Sequence, residues 1–256
     1  MEKYKITVDN LSASILSLSL EDIRAASGSD TALYLRRLLS DAVPSGIALA
    51  VYPTLECDVA LFGVYTEGGF CLELPVPEAI LIFSAFWSLV RGTPCRELEI
   101  LIRGMRTTVE IFDTPRGTVA VKLEKCKLLL SFFAELDLGM AIPMADCSVL
   151  GSTVRIIVTD SPSAMREHTL RGARMLHSRP DAGVVCALSR KAPHEPNIYS
   201  PYPTRATAAL GAATYLFAVG EYGFDRKIDF GSGLLVFKDG IVGTVLKAEC
   251  TRVNAT

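Results

Sequence analysis

The chain has 256 residues, half of them hydrophobic, and 26 Lys plus Arg against 28 Asp plus Glu leave a formal charge of −2. That length suits two domains of roughly 120 to 130 residues, each able to bury a core. A near-neutral chain without a long Lys/Arg run, or basic residues interleaved with aromatics, excludes a nucleic-acid footprint.

In chain order, strands are predicted at Tyr4 to Val8 and Ser14 to Leu18. A helix follows near Leu20, where Glu21 and Asp22 suit the first turn. Leu33, Leu35, Leu38 and Leu39 set a helical stripe over Asp30 to Ala42. Strands then read at Ile47 to Tyr52, Val59 to Tyr65 and, past the Gly68-Gly69 turn, Phe70 to Leu74. Pro75-Val76-Pro77 stops that strand and opens an apolar helix, Glu78 to Leu89, with Pro77 at a position whose N–H would be unpaired anyway. Glu99 to Ile102, Thr107 to Phe112 and Thr118 to Glu124 read as strands, with Gly104 and Pro115-Arg116-Gly117 as turns. Phe132 to Met144 reads as the boundary between the halves.

The second half repeats this grammar. Strands at Val154 to Val158 and Val184 to Leu188 flank a helix over Ala164 to His177. Tyr202-Pro203-Thr204 precedes a helix, Arg205 to Val219, and strands at Lys227 to Phe230, Gly233 to Phe237 and Val242 to Ala248 close the chain, with turns at Gly231-Ser232-Gly233 and Asp239-Gly240. Placing Pro75 over Pro203 sets Ser84-Ala85 over Ala212-Ala213 on two apolar, small-residue-rich helices, as expected of a duplicated unit.

The longest apolar stretch, Ala79 to Val90, falls short of the roughly twenty residues a membrane span needs. No continuous signal-peptide core follows Glu2, Lys3 and Lys5, so a cytoplasmic protein is expected. Seven scattered cysteines without a Cys-x-x-Cys pair are not a disulfide framework. His168, His177 and His194 have no zinc spacing, and no metal is expected. His194, in a proline-rich loop, is a secondary candidate. Gly231-Ser232-Gly233 lies between strands and fails the context of a phosphate loop.

The C-terminal stretch from Ala206 to Val219, through Asp225-Arg226-Lys227-Ile228-Asp229-Phe230-Gly231-Ser232-Gly233-Leu234, to Val245 to Glu249, resembles the diaminopimelate epimerase superfamily. Val64-Tyr65-Thr66-Glu67-Gly68 is similar to that family's first-half strand and turn, and Arg171-Gly172 through Val184-Val185 to its second-half helix, loop and strand. The resemblance covers most of the chain. It implies an α+β fold of two pseudo-symmetric lobes, 1–131 and 132–256, each a mixed or antiparallel sheet or barrel around a central helix. The extreme C-terminal strand would pack back on the N-terminal lobe. It further implies a cofactor-independent isomerase, cyclase or lyase acting on a small amino- or carboxylic-acid metabolite in the inter-lobe cleft.

In that family each lobe supplies a Cys-Gly-x-Gly turn at a helix start, and a thiol and thiolate exchange the substrate's α-proton. Here Leu74-Pro75-Val76-Pro77 and Tyr202-Pro203-Thr204-Arg205 occupy those turns, so both thiols and the glycines are missing. The substrate-binding asparagines are missing too, which argues against two-cysteine racemisation. Glu73, Cys71 and Tyr202 are the candidate catalytic residues, the first two sharing a face by strand alternation. At the first helix start Val76 and Glu78 are candidate substrate contacts, and missing proline N–H groups beside Glu73 and Glu78 favour a cation. At the second, a Thr204 cap, Arg205 and the Ala206 N–H favour a carboxylate or phosphate. The alternative function is a non-catalytic member of the fold that binds a small ligand or a protein. Expected partners are a small metabolite, with room for a homodimer, and neither nucleic acid nor membrane; no cofactor is implied.

Overall fold

The computed structural model describes residues 1–8, 11–25, 30–67, 70–91, 95–114, 118–123, 126–135, 141–160, 162–176, 184–189, 197–200, 203–220, 227–229, 234–238 and 241–253. The turns at Gly68-Gly69, Pro115-Arg116-Gly117, Gly231-Ser232-Gly233 and Asp239-Gly240 lie outside them, as do His177, His194 and Tyr202.

The chain has an α+β fold, as the resemblance implies, and divides into two compact units. One comprises Met1–Leu74, Ala79–Lys122 and Val245–Thr256; the other comprises Pro75–Glu78 and Leu123–Thr244. The elements of the first half are β1 (Glu2–Val8), β2 (Leu11–Ser17), α1 (Leu20–Ala25), α2 (Thr31–Ala42), β3 (Gly46–Tyr52), β4 (Val59–Glu67), β5 (Phe70–Glu73), α3 (Val76–Arg91), β6 (Cys95–Ile102), β7 (Met105–Thr114) and β8 (Thr118–Leu123). Those of the second are β9 (Cys126–Glu135), β10 (Ala141–Val149), β11 (Ser152–Thr159), α4 (Met165–Leu176), β12 (Val184–Ser189), β13 (Asn197–Tyr199), α5 (Arg205–Ala218), β14 (Lys227–Asp229), β15 (Leu234–Lys238) and β16 (Ile241–Val253).

In the first unit the strand order β1-β2-β3-β4-β6-β7-β8-β16 closes on itself, because β16 also pairs with β1, Val253 opposite Lys3 and Ala248 opposite Val8. Closure removes free edges. Strand alternation sorts the side chains. One face carries Tyr4, Ile6, Ile15, Leu49 and Ile100, all buried, and the Tyr4 ring meets Phe86 of α3 edge-on at 5.1 Å. Helix α3 is buried continuously from Ala79 to Phe86, so its apolar sequence is a core helix. The opposite face carries Leu16, Ala48, Ala50 and Val64, which pack on Leu35 and Leu39 of α2. Asp30 caps α2 by accepting from the Ala32 and Leu33 N–H groups at 2.9 and 3.4 Å.

The second unit is built on a five-stranded sheet, β13-β12-β11-β10-β9, in which β11 and β12 are parallel and bracket α4. Helix α5 lies on one face and α4 on the other. A Cβ on Gly211 of α5 would lie 2.5 Å from Val154 Cγ1, so glycine is what lets this helix approach β11. On the α4 face Arg155 donates to both Asp146 oxygens, at 2.8 and 2.7 Å, with the Phe132 ring 5.4 Å from its guanidinium carbon.

The stretch expected to be a boundary, Phe132 to Met144, instead holds the end of β9 and the start of β10. A register shift at Asp146/Cys147 changes the side-chain phase and Pro143 interrupts the pattern, so neither strand shows a clean alternation. The short β13 was also not foreseen.

Candidate functional site

Four residues, Leu74 to Pro77, separate the end of β5 from Glu78. Pro75, Val76 and Pro77 are buried, Val76 at 1% exposure, and Glu78 follows with none. Glu78 belongs with the second unit, and its carboxyl meets the start of α5. The Thr207 N–H donates to Glu78 Oε1 at 2.8 Å, the Thr207 hydroxyl donates to Oε2, and the N–H groups of Ala206 and Glu78 itself also point to the carboxyl.

The first N–H groups of a helix have no partner within it and favour an acceptor, preferably an anion. Thr204 was expected to supply one; it is the N-cap residue of α5, yet its side chain makes no capping hydrogen bond. A carboxylate 129 residues away in sequence does the capping instead. Burial raises the Glu78 carboxyl from its ordinary 4.5 to about 7, against the pull of the Thr207 hydroxyl and N–H, which favour the ionised form. The site therefore holds an acid–base group divided between its two forms near neutrality.

Two other sequence candidates, Cys71 and Glu73, belong to the first unit. Cys71 and Glu73 share a face of β5, but it is the face with Val64 and Thr66, turned to α2. Cys71 Sγ sits 3.1 Å from Ser40 Oγ. Glu73, 53% exposed, lies 3.5 Å from an Arg36 nitrogen and 3.3 Å from Arg103 Nε. Glu73 and Arg103 also line a crevice of about 500 Å³ with Tyr52, Phe62 and Leu101. Arg205 is exposed in the first turn of α5, and Tyr202 is outside the described residues. Of the named residues the structure brings together Glu78 and Ala206.

Thr207 was missed. Its signal was a hydroxyl in the first turn of a helix otherwise built from Ala206, Ala208 and Ala209, matched by a lone carboxyl in the apolar run Val76 to Leu81. Among the described residues, no group of three or more His, Cys, Asp or Glu is placed to hold a metal ion. No helix among them is long and apolar enough to cross a membrane.

Sequence comparison matches no protein-family model and no curated protein. Solved structures do match. A probable proline racemase from Agrobacterium radiobacter is 10% identical, with a TM-score of 0.67 over 100% of this chain and 93% of that one. A PhzC/PhzF phenazine biosynthesis protein from Clostridium difficile is also 10% identical, with a TM-score of 0.62 over the whole of both chains. Methylitaconate-delta-isomerase is 11% identical, with a TM-score of 0.56 over 99% and 94%. The fold is that of the diaminopimelate epimerase-like proteins.

Proposed function

We propose that this chain is an isomerase-like enzyme that works without a cofactor and moves a proton on a small amino or carboxylic acid, with Glu78 in place of the missing thiols. The observation that carries this reading is the Glu78 carboxyl, wholly buried at the start of α5 and raised to about 7. A group so poised is present at neutral pH both as the base that takes a proton and as the acid that returns one. Donation from Thr207 and Ala206 stabilises the base form, while burial stabilises the acid form. Arg205, exposed in the same turn, is the cation we assign to the substrate's acid group. Support comes also from the fold shared with proteins named as a proline racemase and an isomerase.

The test is incubation in heavy water with a panel of amino and carboxylic acids, following loss of carbon-bound protons by NMR. Wild-type protein is expected to exchange at least one acid, and Glu78→Gln to lose the exchange by a factor of about 100 or more. Exchange that survives the substitution refutes the role of Glu78.

A second reading, a non-catalytic member of the fold that binds a small ligand or a protein, is favoured by closure of the site. Leu74 and Val76 are each 1% exposed and Glu78 is not exposed at all, so a carboxylate of this chain already occupies the α5 donors. Absence of exchange with every acid in the panel selects this second reading.

A further inference from the structure

The hairpin joining β6 to β7 turns on Arg103 and Gly104, with φ of 50° and 72°. Turns with two positive φ angles favour Asn or Gly at the first place, and an arginine there is held against its backbone preference. The guanidinium is engaged. Arg103 Nη2 donates to the Leu74 carbonyl at 2.5 Å, and Nε lies 3.3 Å from Glu73 Oε2, whose other oxygen approaches Arg36 at 3.5 Å.

Leu74 is fixed from other sides as well. Its N–H donates to the Gly63 carbonyl at 3.3 Å, and its Cβ passes so close to Gly63 that a Cβ added there would lie 3.1 Å away. From Leu74 the chain runs through Pro75, Val76 and Pro77 to Glu78. Both prolines have locked φ, the residue before each is restricted as well, and Val76 and Pro77 already lie in the first turn of α3. With Leu74, Val76 and Glu78 at 1, 1 and 0% exposure, little torsional freedom separates the Leu74 carbonyl from the Glu78 carboxyl.

We infer that Arg103 is a positioning residue for Glu78, holding the entry to α3 through the Leu74 carbonyl while Glu73 and Arg36 orient its guanidinium. The inference rests on the reading of Glu78 as the proton-transfer group. It gives Glu73 a supporting task at the surface. The groups that donate to the Glu78 carboxyl are the Thr207 hydroxyl and N–H, the Ala206 N–H and its own N–H, none of which titrates in the neutral range; Arg205 is exposed in the same turn of α5. A change in the titration of Glu78 then reports its position and its access to water.

The experiment is a carbon-13 NMR titration of the Glu78 carboxyl, identified by its loss in Glu78→Gln, in wild type, Arg103→Gly and Glu73→Gln. Glycine suits the positive φ, so Arg103→Gly keeps the turn and removes the clamp. Its midpoint is expected to fall by about one pH unit or more as water reaches the carboxyl, with a smaller fall in Glu73→Gln. Arg103→Lys, which keeps a cation without the fork, is expected to recover part of the difference. A near-neutral wild-type midpoint that neither Arg103→Gly nor Glu73→Gln moves overturns the positioning role and leaves the reading of Glu78 intact. A wild-type midpoint in the ordinary carboxylate range overturns both. If Arg103→Gly does not fold, the half-exposed Glu73→Gln decides alone.

Discussion

Glu78 makes the stability of the protein depend on pH in a direction opposite to that of a paired surface carboxylate. Its carboxyl is raised from 4.5 to about 7 in the folded chain. Below pH 4.5 both folded and unfolded chains hold the proton and the group contributes no slope. Between 4.5 and about 7 the folded chain keeps a proton that the unfolded chain releases, so stability falls as pH rises. Above 7 the loss is complete, and a shift of this size corresponds to about 3 kcal/mol. For a chain of this length that is roughly 6 to 12 °C in melting temperature. Asp22, whose carboxyl is held below 3.8 by Ser19 hydrogen bonds, acts only in more acid solution and leaves this window clear. Glu78→Gln keeps the shape and an acceptor for the Thr207 N–H but cannot ionise. Melting wild type and Glu78→Gln from pH 5 to 8.5 should show wild type losing stability relative to the variant as pH rises. Parallel curves would refute the claim that burial raises this carboxyl in the folded chain.

Three further outcomes follow from the second unit. Asp146→Asn leaves the Arg155 guanidinium, 6% exposed, without its counter-charge, and chemical denaturation should show a loss of about 3 to 5 kcal/mol. Gly211→Ala forces a methyl to within 2.5 Å of Val154 and should cost about 1 to 3 kcal/mol in the same assay. The thiols of Cys126 and Cys147 are raised by burial to about 11 and 12, and that of Cys186 is raised further, so a thiol reagent at neutral pH should label Cys147 and Cys186 only after unfolding.

Much of the fold is legible wherever one physical signal acts alone. The α2 stripe of Leu35 and Leu39 meets a single face of the sheet, and the helix is found within a residue of its predicted span. The Pro75-Val76-Pro77 stop marks the entry to α3 because proline acts locally on the backbone. β9 and β10 are hidden because a shifted register and Pro143 disturb the alternation that identifies strands. The site is harder for a different reason. Sequence places Glu78 and Ala206 each at a helix start, but a carboxylate capping a helix 129 residues away is a tertiary contact without a local signature. For Glu73 and Cys71 alternation predicts a shared face; which way that face turns is decided by the pairing of β5 on β4 and the packing of α2.

The protonation of one buried side chain decides whether Glu78 can move a proton near neutral pH. A carbon-13 titration of the Glu78 carboxyl in the wild-type protein is predicted to inflect near pH 7. An inflection at the ordinary carboxylate value of 4.5 would contradict it.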